Sequence, residues 1–204
     1  MRHLSRLFAN NRAWASRQVR QDPEFFSRLC AIQAPRHLWI GCADSRVPAN
    51  EIVGLAPGEL FVHRNVANLV RADDFNCLAV LQYAIEILRV TDVIVCGHYG
   101  CGGVQAALNA PVSDPLERWI SPIREIRRRH ADDVDSHADA AARWRRLCEL
   151  NVISQVRELS LLPVLTAAWA EKRPVIVHGW IYDLHDGLLR DLDVSAARGS
   201  PTDP

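Results

Sequence analysis

The sequence carries no net charge: 24 Lys and Arg residues are balanced by 24 Asp and Glu, and the pI is about 7.1. A chain whose main partner is nucleic acid or an anionic membrane usually shows a basic excess, so both partners are set aside. No run of about 18 apolar residues is present, which excludes a membrane-spanning helix. Residues 1–20 mix arginines with apolar residues and lack the apolar block of a signal peptide, so a cytoplasmic protein is expected. There is no internal repeat and no sign of a second domain. The six cysteines sit in a chain that is neither short nor evidently secreted, so metal or structural roles are favoured over a disulfide framework. A length of 204 residues suffices for one domain with a sizeable core.

What is present is an alternation of apolar strands and amphipathic helices. Two helical segments occupy the first thirty residues, the second opening at Asp22-Pro23-Glu24. Strands are expected at 37–42, 59–65, 92–97 and 174–180, with a short edge strand at 188–194 after the Asp186-Gly187 turn. Asp73 or Asp74 caps a helix running to Leu88, with Leu78, Leu81, Ile85 and Leu88 on one face. Short helices follow Pro48 and Gly102. Residues 111–140 read as helix and exposed turn, then a long helix from about 138 to 161, and a further helix from Pro163. Arg127, Arg128 and Arg129 read as a solvated helix face. Cys77 and Cys96 read as buried small residues, as do Cys30 and Cys148. The pattern implies an α/β fold with a mostly parallel central sheet flanked by helices, after an N-terminal helical arm at 1–30. The whole chain, 1–204, is taken as one domain, with a disordered tail at 198–204.

Two short motifs carry the chemistry. Cys42-Ala43-Asp44-Ser45-Arg46 and His98-Tyr99-Gly100-Cys101 each follow an apolar strand. In parallel sheets, ligands bind beyond the carboxyl ends of strands, so Cys42 and His98 are expected to converge. Two thiolates and an imidazole suit Zn²⁺, and three protein ligands leave a position open for catalysis. Asp44 has two options. It can coordinate the metal and close the site, or pair with Arg46 and leave that position to water, which the metal makes a nucleophile. Two thiolates cancel the charge of Zn²⁺, so that water is less acidic than on an all-histidine site, and activity should rise toward alkaline pH. A redox-thiol reading is weaker, since Cys42 and Cys101 do not form a Cys-x-x-Cys pair.

These motifs resemble the β-class carbonic anhydrases. The similarity extends through 39–42, 45–48, 57–68, 96–98 and 177–183, and covers roughly residues 25 to 195. The resemblance implies the β-carbonic anhydrase fold, a homodimer or homotetramer, and reversible hydration of CO₂ to bicarbonate. Carried over by motif, Cys42, His98 and Cys101 are the zinc ligands, with Asp44 joining in a closed state. Asp44 and Arg46 form the catalytic dyad, and Gln33 helps bind substrate at the dimer interface. Phe61, Val66, Tyr83 and the Gly102 amide line the CO₂ pocket. Trp39, Arg64 and Tyr182 match the non-catalytic bicarbonate site of a bacterial type II-like subset, in which bicarbonate favours Asp44 on zinc. Two alternatives stay open: a catalytically silent zinc protein sensing bicarbonate, and a hydrolase of another small electrophile such as CS₂. No residue stands out as a proton shuttle; His63 and His178 are no better than core histidines.

Overall fold

The computed structural model describes residues 2–199. Their contacts divide the chain at Ala34/Pro35 into two units. The first holds α1 (Arg2–Gln21) and α2 (Phe25–Ala31). Trp14 of α1 meets Phe25 and Phe26 of α2 edge-on, at 6.2 and 5.7 Å between ring centroids. Asp22 does not open α2 as expected. Its carboxylate accepts the Glu24 N–H at 3.1 Å and pairs with Arg28, so Pro23 and Glu24 form a turn and the helix begins at Phe25. Cys30 is also a correction: α2 buries no residue, and this thiol is exposed.

The second unit is built on a five-stranded sheet. Its strands are β1 (His37–Cys42), β2 (Leu60–Asn65), β3 (Asp92–His98), β4 (Ile176–Asp183) and β5 (Leu188–Ala196), in the order β2-β1-β3-β4-β5. All neighbours are parallel except β4 and β5, joined by the turn at Asp186-Gly187. The helices are α3 (Ala49–Ile52), α4 (Phe75–Gln82), α5 (Gly102–Leu108), α6 (Leu116–Arg129), α7 (Ala131–Asp135), α8 (Ala140–Leu161) and α9 (Pro163–Ala170). The Asp74 side chain caps α4 by accepting the Asn76 N–H. Beyond α4 the bonding widens, with Leu88 N–H reaching Tyr83 O at 3.0 Å. Leu81 and Ile85 are buried, and Leu78 and Leu88 pack against the same core, as their spacing predicts. Of the tail expected at 198–204, all but Arg198 and Gly199 lies outside the described residues.

The main core lies between one sheet face and helices α4, α8 and α9. Leu38, Ile40, Val93, Val95 and Val177 meet Val152, Val156 and Leu159 of α8. Each such side chain contributes about 1.5–3 kcal/mol by leaving water. Gly97 makes the close approach of α8 possible: a Cβ there would lie 2.5 Å from Val152 Cγ2. In this strand order the chain leaves β1 to one side for β2 and returns to the other for β3. That opens a crevice between the carboxyl ends of β1 and β3. Cys42 ends one of these strands and His98 the other. Arg128 and Arg129, exposed and paired with Glu125, fit the solvated face expected of α6, whereas Arg127 is half-buried against Asp135 and departs from it.

Candidate metal centre

Past His98 the backbone turns at Gly100 (φ +72°), a conformation natural to glycine, and Cys101 then stands immediately before α5. The turn is tied to the next strand, Tyr99 N–H donating to Tyr182 O at 2.9 Å. Both thiols and the imidazole are thereby buried together, their donor atoms all within 4.8 Å of one another. The sulfurs of Cys42 and Cys101 are 3.8 Å apart. Two thiolates on a tetrahedral zinc, at roughly 2.3 Å each, would be about 3.8 Å apart. His98 Nδ1 lies 3.0 Å from Tyr99 O, a contact that places the ring proton on Nδ1. Nε2 is then a bare lone pair, buried and without a hydrogen-bond partner. An unpaired buried nitrogen is costly unless something coordinates it. This donor set fits zinc.

The electrostatics agree. Hydrogen bonding from the Cys101 thiol, 3.8 Å away, is the chief cause that pushes the Cys42 thiol well down against burial. Cys101, beside the Cys42 thiolate and itself buried, is pushed up. A dication between them is what allows both to ionise.

Asp44 is held by Arg46: Nε donates to Oδ1 at 2.9 Å, Nη2 to Oδ2 at 2.7 Å, and the Arg46 N–H to Oδ1 at 2.9 Å. Chiefly because of that guanidinium, the carboxyl lies well below the ordinary carboxylate range. Asp44 Oδ2 is still only 3.7 Å from His98 Nε2. Of the two arrangements open to Asp44, this structure has the one paired with arginine. Arg64 secures the same loop, donating from Nε to Cys42 O at 2.9 Å and from Nη2 to Asp44 O.

Phe61 and Tyr83 meet at 5.9 Å between ring centroids, and Val66 and Tyr83 are 40% and 44% exposed. Gly102 is exposed at the start of α5. Gln33 belongs to the first unit and is exposed there. By register, Trp39, Arg64 and Tyr182 project from one face of the sheet, the face that also carries His98. Trp39 is buried and Tyr182 packs against its cluster.

Several supporting residues carried no motif. Trp144 Nε1 donates to Cys101 O at 3.1 Å, Trp119 Nε1 to Val66 O at 2.8 Å, and Asn151 Nδ2 to Ala67 O at 3.0 Å. Trp119 also lines a cavity of about 630 Å³ together with Val66, Arg71, Pro115 and Leu116. The one available signal was polar Asn151 and Gln155, four residues apart on the apolar stripe of α8.

Two histidines considered for proton transfer have other bonds. His178 Nε2 lies 3.1 Å from Asp92 Oδ1. His63 falls in a second cluster with half-buried Asp74 and buried Cys77. There the Asn65 amide, oriented by the N–H and C=O of Leu69, donates to His63 Nε2 at 3.2 Å. The neutral ring then keeps its proton on Nδ1 and has no lone pair to spare, so His63 reads as a hydrogen-bonded core residue rather than a ligand.

The family model described as "Carbonic anhydrase" matches residues 37–189. A carbonic anhydrase of Emericella nidulans is 47% identical over 189 residues, covering 93% of this chain and 83% of the relative. One from Pseudomonas aeruginosa is 34% identical over 181 residues, covering 86% and 81%. Among solved structures, a tetrameric β-carbonic anhydrase of the ascomycete Sordaria macrospora superposes with a TM-score of 0.92 at 37% identity, covering 97% of this chain and 100% of that one. A Coccomyxa β-carbonic anhydrase in complex with acetazolamide gives 0.90 at 40%, covering 95% and 87%.

Proposed function

The chain belongs to the β class of the carbonic anhydrase family, and on that premise we propose how its residues carry out the reversible hydration of CO₂. The observation that carries the reading is the unpartnered His98 Nε2 facing two thiols, beside a carboxylate clamped by arginine. Zinc held by Cys42, His98 and Cys101 would supply a Lewis acid that makes water nucleophilic. Arg46 keeps Asp44 off the three donor atoms. So held, Asp44 accepts a hydrogen bond from the attacking water and turns its lone pair toward carbon. Phe61, Val66 and Tyr83 offer CO₂ a small apolar wall, and the Gly102 N–H meets a substrate oxygen. Gln33 serves the site from a second copy of the chain. The exposed side chains of Phe75, Tyr83 and Ile87 support such a copy, as does the tetrameric relative.

Stopped-flow CO₂ hydration by zinc-loaded protein, from about pH 6.5 to 9.5, tests the reading, with CS₂ assayed beside it. A rate climbing toward alkaline pH is expected, because two thiolates neutralise the dication before Asp44 is counted. Bound zinc with no rate at any pH would return the sensor; turnover of CS₂ alone would return the other hydrolase.

A second reading concerns regulation, and the observation favouring it is Arg64. An anion drawn to this guanidinium competes with the carbonyls of Cys42 and Asp44 and loosens the loop that presents Asp44. Trp39 and Tyr182 could donate to that anion, and bicarbonate would then inhibit by letting Asp44 close on the metal. The reading does not lean on a bacterial subset, since the chain is 47% identical to a fungal enzyme. Trp39→Phe or Tyr182→Phe should weaken bicarbonate inhibition; inhibition equal to wild type rules the reading out.

A further inference from the structure

His98 offers a bare Nε2 to the metal while its proton stays on Nδ1, and the group that keeps it there is the carbonyl of Tyr99, 3.0 Å away. A carbonyl can only accept, so this bond fixes the tautomer as well as the tilt of the ring. That carbonyl belongs to the peptide between Tyr99 and Gly100. Gly100 has φ +72°, and glycine takes either sign of φ at little cost. The backbone alone therefore does not stop this peptide from turning and taking its oxygen off His98.

Tyr99 is held on three sides. Its N–H donates to Tyr182 O at 2.9 Å, near the end of β4. Its hydroxyl donates to Glu149 Oε1 of α8 at 2.7 Å. The Arg145 guanidinium carbon stands 3.6 Å over the centre of its ring. The anchors on α8 are themselves tied down. Arg146 Nη1 donates to Glu149 Oε2 at 2.9 Å, and Arg146 Nη2 to Asp133 Oδ2 of α7 at 2.7 Å. Arg145 Nη2 donates to Asp183 Oδ2 at 3.1 Å, one residue beyond the carbonyl that takes the Tyr99 N–H. Trp144, the neighbour of Arg145, donates to Cys101 O at 3.1 Å, so one stretch of α8 grips the zinc loop at both ends.

We infer that Glu149 and Arg145 are positioning residues for His98: by fixing the Tyr99 ring they keep the Tyr99 carbonyl on Nδ1 and leave Nε2 to the metal. Tyr99 is 5% exposed, and satisfying a buried tyrosine takes only the hydroxyl bond. The arginine stacked on the ring, tied to the strand that takes the Tyr99 N–H, fixes the orientation of the residue as well. The inference rests on the zinc reading of Cys42, His98 and Cys101, and it extends that centre to a helix whose sequence carries no zinc motif.

The test reads metal binding rather than turnover. Zinc affinity is measured by competition with a chromophoric chelator, and the cobalt-substituted protein is scanned for its visible bands, which report ligand geometry. Loss of a direct outer partner of a metal ligand costs about tenfold or more; Glu149 acts one step further out, so Glu149→Ala should weaken zinc binding about fivefold and shift the bands. Glu149→Gln keeps an acceptor for the Tyr99 hydroxyl and should restore most of the affinity. Tyr99→Phe breaks the same bond, so Y99F added to E149A should cost little beyond E149A alone. Val156→Ala, on the same helix but in the main core, should destabilise the fold and leave both readouts in place. Should E149A fail to fold, Arg145→Met, which removes the guanidinium and keeps a long side chain, should move both readouts the same way. In the variant that folds, affinity within twofold of wild type with unmoved bands overturns the inference. So do equal losses in E149Q and E149A, additive losses in the double variant, or an equal effect of V156A. A wild-type chain that takes up no zinc overturns the metal centre itself.

Discussion

Replacing Arg46 by glutamine tests the central piece of the site. The substitution deletes two charge-assisted bonds to Asp44, from Nε at 2.9 Å and Nη2 at 2.7 Å, and leaves the backbone bond from residue 46 in place. Bonds of this kind are worth roughly 1.5–3 kcal/mol each when buried. The Arg46 side chain is 57% exposed, so solvent screening brings the pair to about 1–2 kcal/mol together. That energy now separates Asp44 on arginine from Asp44 swung across the 3.7 Å to the metal-facing atom of His98. Removing it shifts the balance by about 5- to 30-fold, since each 1.4 kcal/mol is tenfold. We therefore expect R46Q to keep its zinc and lose about 5- to 30-fold in kcat/KM for CO₂ hydration. Thermal stability should change little, the lost pair being half solvated. The assay is stopped-flow hydration on protein whose zinc content is measured in the same sample. Full zinc occupancy with kcat/KM within twofold of wild type would refute the role given to the dyad.

Gly97→Ala should destabilise the fold by about 1–3 kcal/mol, the usual cost of forcing extra volume into a packed core, because its Cβ would sit 2.5 Å from Val152 Cγ2. Calorimetry should show a thermal midpoint lower by roughly 2–4 °C per kcal/mol; an unchanged midpoint would mean that α8 does not approach β3 so closely. Asp183 governs acid stability. The His185 N–H first, then the His185 ring and Arg145, bring its carboxyl down from 3.8 to about 2. A depressed carboxylate stabilises the fold fully above its unfolded pKa and loses that contribution as pH falls, here between about 4 and 2. The shift corresponds to roughly 2 kcal/mol, discounted to about 1 because Arg145 is 41% exposed. The gap in urea midpoint between wild type and Asp183→Asn should accordingly be present at neutral pH and close near pH 2; a gap independent of pH would rule this out.

The strands and the site differ in how they were legible. His37–Cys42 and Asp92–His98 announced themselves as apolar runs ended by a metal-binding side chain, and strand order then brought those ends together. Helix α8 was visible through its length, but its use of Asn151 was not, because a side-chain amide bonded to a distant carbonyl leaves no spacing to read. The same holds for Trp119 and Trp144, each of which donates an indole N–H to a backbone oxygen of the site. Cys30 misled for the opposite reason. Cysteine is commonly buried, but this one lies on a short helix that buries nothing.

Charge explains why the centre needs both a buried histidine and a restrained carboxylate. Two thiolates already neutralise a dication, so a coordinating Asp44 would give a negative site and remove the place where substrate water must stand. A neutral imidazole adds a donor without adding charge, and its orientation is set by the carbonyl of Tyr99. Asp44 must then be near enough to accept a proton-bearing hydrogen bond and still be kept from the metal. A guanidinium anchored two residues away meets both demands, since its fork fixes the carboxylate plane and balances its charge. Lysine at position 46 would keep the charge and lose the fork. An R46K variant should accordingly hold zinc and show activity between wild type and R46Q in the assay above; full wild-type activity would mean that charge alone restrains Asp44.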